Sequence, residues 1–150
     1  MSKQILALKE TLEKLTGQKV TLQNVDTELQ SAVAIIIGPG NKVLMGVSTA
    51  DDDRNGKLCF VGGGIEKGET PYQAAKREAL EEAGAIVKCQ PLPWLVFDEQ
   101  PSVAFVLCKY IGGDLKPNEE FKNIGWYDYN VISEDSWYKN NFNALMHFKN

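Results

Sequence analysis

The sequence has little that would suit a nucleic-acid polymer or a membrane. Lysine and arginine total 16 against 20 aspartates and glutamates, a formal net charge of −4. No basic excess is left to neutralise a phosphate backbone. No apolar run reaches the length of a membrane span. Lys3 leads into a mixed, charged pattern rather than an export signal, so a cytoplasmic location is expected. Histidine is nearly absent: His147, between Met146 and Phe148, has no partner in sequence and reads as a packing or surface residue. The three cysteines, Cys59, Cys89 and Cys108, are odd in number and lack CxxC spacing. Buried free thiols are expected rather than a disulfide framework. Repeats, linkers and low-complexity tracts are missing too, and 150 residues suit a single domain over 1–150.

What the chain does have is concentrated between Gly62 and Ala85: GGGIEKGETPYQAAKREALEEAGA. Three glycines read as a loop whose backbone can approach a ligand or take positive φ. Thr70 is placed to cap a helix, with Pro71 in its first position. Tyr72 to Ala83 contains no β-branched residue and many alanines, so a helix is predicted, ending at Gly84. On it Glu78, Glu81 and Glu82 fall within roughly a 100° arc, while Tyr72, Ala75, Ala79 and Ala83 form a separate apolar face. Clustered carboxylates repel one another. A hard divalent cation such as Mg²⁺ resolves that repulsion and keeps positions for water and phosphate. The competing reading of the helix alone is a solvated acidic face.

The whole stretch resembles the Nudix box, G-x5-E-x7-R-E-U-x-E-E-x-G-U with U apolar. Gly63, Glu69, Arg77, Glu78, Glu81, Glu82 and Gly84 stand at the fixed positions, and Ala79 and Ala85 at the apolar ones. Val61 replaces the proline that usually precedes the family's glycine pair. The resemblance to the Nudix hydrolases implies an α/β class protein: the Nudix fold, an α/β/α sandwich with a mixed central β-sheet. It also implies hydrolysis of a nucleoside diphosphate linked to another moiety, with Mg²⁺ as cofactor and Mn²⁺ as its substitute. The implied metal ligands are Glu78, Glu81, Glu82 and the Gly62 carbonyl. Arg77 is expected to pair with Glu69 and fix the loop on the helix. The general base is either Glu78 or a glutamate of a later loop, Glu119 or Glu120. Gly63, Gly64, Glu120 and Trp126 are the substrate-binding candidates; Trp94, Phe97, Phe105 and Tyr127 are further aromatics that could stack on a base. Pro101 stands at the offset after the box that marks ADP-ribose-cleaving subgroups.

The rest of the chain alternates strands and helices, which fits one mixed sheet between helical layers. Residues 1–17 carry Ile5, Leu8, Leu12 and Leu15 at helical spacing and read as a packing or dimer element. Strands are predicted over 19–25, 31–37, 42–47, 57–61, 86–89, 94–98, 103–110 and 123–129, with a closing helix over 134–148. Asp51, Asp52 and Asp53 lack ligand spacing and read as a solvated loop. The expected partner is a small nucleotide derivative such as ADP-ribose, NADH, FAD or a diadenosine polyphosphate. Simple nucleoside triphosphates are the alternative, and capped RNA stays within the class. A nucleotide-binding regulator without activity is the reading from another class; such a relative can lose its glutamates, and this chain keeps them all.

Overall fold

Ser31–Ile37, the apolar run SAVAIII, forms strand β2 at the middle of the sheet. The computed structural model describes residues 2–24, 28–49, 56, 58–91, 93–119 and 121–128. In chain order the other elements are α1 (Ser2–Thr16), β1 (Val20–Gln23), β3 (Val43–Ser48), β4 (Leu58–Cys59), β5 (Val61–Gly64), α2 (Pro71–Ala83), β6 (Ala85–Cys89), β7 (Trp94–Phe97), β8 (Gln100–Gly113) and β9 (Phe121–Tyr127). Among the described residues all nine strands join one mixed sheet. β2 runs parallel to β8, from Ser31 opposite Val103 to Ile37 opposite Lys109. Its other edge pairs antiparallel with β5 and, at the far end, with β3. β6 and β7 both pair with β8, β1 extends the sheet beyond β7, and β4 and β9 both pair with β3.

Alternation along β2 divides the core, because successive strand residues face opposite ways. Ala32, Ala34 and Ile36 pack with Ala74, Ala75, Ala79 and Ala83 of α2. Val33 and Ile35 pack on the other side with Ile5, Leu8 and Leu12 of α1. The sheet therefore lies between two helical layers, as the α/β/α reading requires. The side chains facing α2 from β2 are mostly small. That lets the helix sit close to the strand that carries the glycines.

Three expectations need correction. Gly62, Gly63 and Gly64 are not a loop: they are strand β5, paired with Val33, Ala32 and Ser31, and none of them has positive φ. The ladder to a central strand overrides the poor strand propensity of glycine. The late strand is longer than 103–110 and includes Gly112 and Gly113, which pair with Ile86 and Ala85. Finally, Cys89 and Cys108 are not free thiols. They stand opposite each other on β6 and β8 and form a disulfide, while Cys59 is a buried cysteine outside it. The expected helix over 134–148 with His147, the Asp51–Asp53 run and Glu120 lie outside the described residues. Among the described residues no helix is long and apolar enough to cross a membrane.

Candidate active site

Local chemistry fixes both ends of α2. The Thr70 hydroxyl accepts from Gln73 N at 3.2 Å, and the Gln73 side chain accepts from Thr70 N at 3.0 Å, a capping box. Pro71 occupies the first turn, where no N–H is missed. At the other end Gly84 is left-handed, with φ 72° and ψ 17°, and its N–H returns to the carbonyls of Ala79 and Leu80. A loop then donates to three further carbonyls. Lys116 N donates to Ala83 O at 3.3 Å, Asp114 N to Gly84 O at 3.0 Å, and Asn118 Nδ2 to Glu82 O.

The three box glutamates differ in environment. Glu82 is only 8% exposed. A buried carboxylate needs hydrogen bonds to stay charged, and Gly62 N donates to Glu82 Oε1 at 2.8 Å. Glu78, with a side chain 12% exposed, lies against Gly63. A Cβ built on Gly63 would collide with the Glu78 carboxylate, so glycine is needed here for close approach. Glu81, 57% exposed, is the open one. Beside it runs a groove of about 590 Å³ bounded by Leu80, Ile86, Asp114, Lys116, Pro117 and Asn118.

Arg77 braces the cluster. Its Nε donates to Glu69 Oε2 at 2.7 Å, and Nη2 donates to Glu69 Oε1 at 3.0 Å and to the Gly64 carbonyl at 2.8 Å. Nη1 lies 3.1 Å from both Glu78 Oε2 and Glu81 Oε1. The guanidinium thus ties the end of β5, the turn before α2 and the helix together, with Glu69 in the pairing expected of it. Hydrogen bonding to Arg77 holds the Glu69 carboxyl below its ordinary value of 4.5, aided by the Glu66 N–H. The same contacts raise the Arg77 pKa.

As they stand the carboxylates do not converge. Among the described residues no group of three or more His, Cys, Asp or Glu side chains is arranged to hold a metal ion, because Glu78 and Glu81 turn onto Arg77 and Glu82 onto Gly62 N. The donor chemistry nevertheless fits a hard divalent cation: the set is all oxygen and rich in carboxylate.

The remaining candidates are dispersed. Gly64 gives its carbonyl to Arg77. Trp126 packs edge-on against Tyr110, with ring centroids 5.0 Å apart, and lies over Gly38, where any Cβ would strike the indole. Trp94, Phe97 and Phe105 are buried in the core. Glu119 is exposed, and its carbonyl accepts from the Thr49 hydroxyl. Asn118 escaped sequence reading altogether. It sits in a stretch that reads only as a polar loop, and its partner Glu82 O is 36 residues away in the chain.

The fold and the box geometry define a Nudix-type protein, and the chain belongs to the NUDIX domain family: the family profile matches residues 28–148. It is similar to an ADP-ribose pyrophosphatase of Methanocaldococcus jannaschii, with 34% identity over 113 residues, 69% of this chain and 66% of that protein. It is also similar to the 8-oxo-dGTP diphosphatase of Escherichia coli, with 47% identity over 57 residues, 38% of this chain and 44% of that one. The chain thus spans under two thirds of either relative. Among solved structures, a NUDIX hydrolase from Nitrosomonas europaea shares the fold with a TM-score of 0.56 and 20% identity, covering 87% of this chain and 85% of that one.

Proposed function

We propose that the protein is a metal-dependent pyrophosphohydrolase that cleaves the diphosphate bridge of a nucleoside diphosphate derivative, with ADP-ribose or a related dinucleotide as substrate. The observation that carries this reading is the acidic face of α2 seated on β5. It holds Glu82 buried against Gly62, Glu78 against Gly63 and Glu81 open to the groove. A surface helix with no task for its acids would leave all three in solvent. The choice of ADP-ribose rests on the Methanocaldococcus relative, whose match covers more of this chain than the Escherichia coli one. Pro101, exposed on β8, agrees with it.

In this reading Glu78, Glu81, Glu82 and the Gly62 carbonyl hold the cation. When bound, Mg²⁺ neutralises phosphate oxygens and lowers the pKa of a coordinated water. The chain's own residues do the rest. Arg77 keeps α2 in register with β5 through Glu69 and the Gly64 carbonyl. The open Glu81 carboxylate marks where a phosphate can approach. A glutamate, Glu78 or one of the pair Glu119 and Glu120, accepts the proton of the attacking water.

The test is a Mg²⁺-dependent screen of ADP-ribose, dinucleotides, nucleotide sugars, nucleoside triphosphates and capped RNA, with products identified. Hydrolysis should be greatest for a diphosphate-bridged compound. Glu82→Gln and Glu81→Gln should each lower turnover by at least about a hundredfold, as expected for groups acting on the reacting centre, with circular dichroism unchanged. Near-parental turnover in both would remove the ligand assignment, and a triphosphate as sole substrate would replace the substrate class.

A further inference from the structure

Carbonyl groups at the end of α2 accept from the loop that follows β8, and one of the donors is a side chain. Asn118 Oδ1 accepts from Phe121 N at 3.0 Å, and Asn118 N donates to Phe121 O at 2.8 Å. This closes the loop onto the start of β9 and fixes which end of the amide is the donor. The other end, Nδ2, donates to the main-chain carbonyl of Glu82. Glu82 is thereby gripped twice, by Gly62 N on its carboxylate and by Asn118 on its backbone. The two grips come from different directions, one from the sheet and one from the loop. The neighbouring carbonyls of Ala83 and Gly84 receive main-chain N–H groups of the same loop, so the loop is bonded to the end of the helix at successive residues. Glu119, next in sequence, is tied by its carbonyl to Thr49.

We infer that Asn118 is a positioning residue: through the Glu82 carbonyl it sets the rotation of the last turn of α2, and so where the Glu81 and Glu82 carboxylates meet a divalent cation. The inference rests on the metal-ligand reading given under Proposed function. A main-chain grip alone would hold the helix end against fraying. The side-chain grip adds an angular constraint, because an amide donor fixed at Oδ1 can point only one way.

Two substitutions separate the roles of the amide. Asn118→Asp keeps an acceptor for Phe121 N but sets an oxygen against the Glu82 carbonyl. Asn118→Ser keeps a hydroxyl able to close the turn, is uncharged, and is too short to reach Glu82. The readout is Mn²⁺ binding to the whole chain, followed by the electron paramagnetic resonance signal of the free ion, beside the melting temperature. Partners behind metal ligands are worth tenfold or more, and water competes at this exposed loop, so both variants should bind Mn²⁺ about tenfold more weakly. Melting should fall by no more than a few degrees. Parental Mn²⁺ affinity in Asn118→Ser, whatever its melting temperature, overturns the inference and leaves Asn118 a turn residue. Glu82→Gln measured alongside distinguishes the two levels. If it too binds Mn²⁺ as the parent does, the ligand reading itself falls and takes this inference with it.

Discussion

Glu82 shows how much a single side chain's meaning depends on its neighbour. Helical spacing groups it with Glu78 and Glu81, and that much is legible in the sequence. Its burial is not, because the N–H that satisfies it belongs to Gly62, 20 residues back on a strand held by β2. Gly63 is the complementary case. It looks like a flexible link, yet it serves as a flat seat for the Glu78 carboxylate. Gly63→Ala should therefore separate stability from function. The colliding atoms are the far end of a flexible side chain that can swing aside, so the fold should lose only about 1 kcal/mol. Displacing that carboxylate by the width of a methyl group should lower turnover by on the order of a hundredfold. Urea unfolding together with steady-state rates decides it; equal activity in the variant would show that Glu78 does not need its seat.

Helix α2 was legible as an element because its signals are local. The cap, the proline, the alanines and the terminal glycine lie within a few residues of the structure they specify, and the observed bounds follow them. Strand β5 was not legible, since three successive glycines carry no strand signal and only the ladder to β2 defines them. The two elements are joined by the Arg77–Glu69 brace, which gives a pH signature. Glu69 has a folded-state pKa below its ordinary value. The stabilisation it provides is therefore complete above the unfolded-state value of 4.5 and is lost as pH falls through the lower folded-state value. In Glu69→Gln the melting temperature should be lower than the parent's at neutral pH, and the gap should narrow as the solution is taken below pH 4.5. A gap independent of pH would assign the brace no electrostatic share of stability.

For the molecule as a whole, alternating strand and helix patterns imply an α/β sandwich, and the structure has its sheet between α1 and α2. Strand order was beyond sequence reading, and the disulfide with it. Cys89 and Cys108 meet only because β6 and β8 pair in one particular register. The two faces of the sheet also divide the work. The acidic cluster belongs to the α2 side, whereas Leu12, wholly buried, belongs to the α1 side. Leu12→Ala should cost about 2–5 kcal/mol by leaving a cavity. Specific activity well below the unfolding transition should be unchanged. A matched fall in both would mean that the α1 layer shapes the reactive face through the sheet.

The parallel pairing of β2 with β8 also bears on how the chain reaches this state. Ser31 must find Val103, so the central ladder closes a long excursion that holds both glycine strand and acidic helix. Such distant pairings form slowly. During synthesis, a chain that has emerged only to the end of α2 already owns every glutamate of the box. One edge of β2 is still bare at that moment, and the helix has only part of its floor. The acidic face is thus completed by residues that leave the ribosome after it.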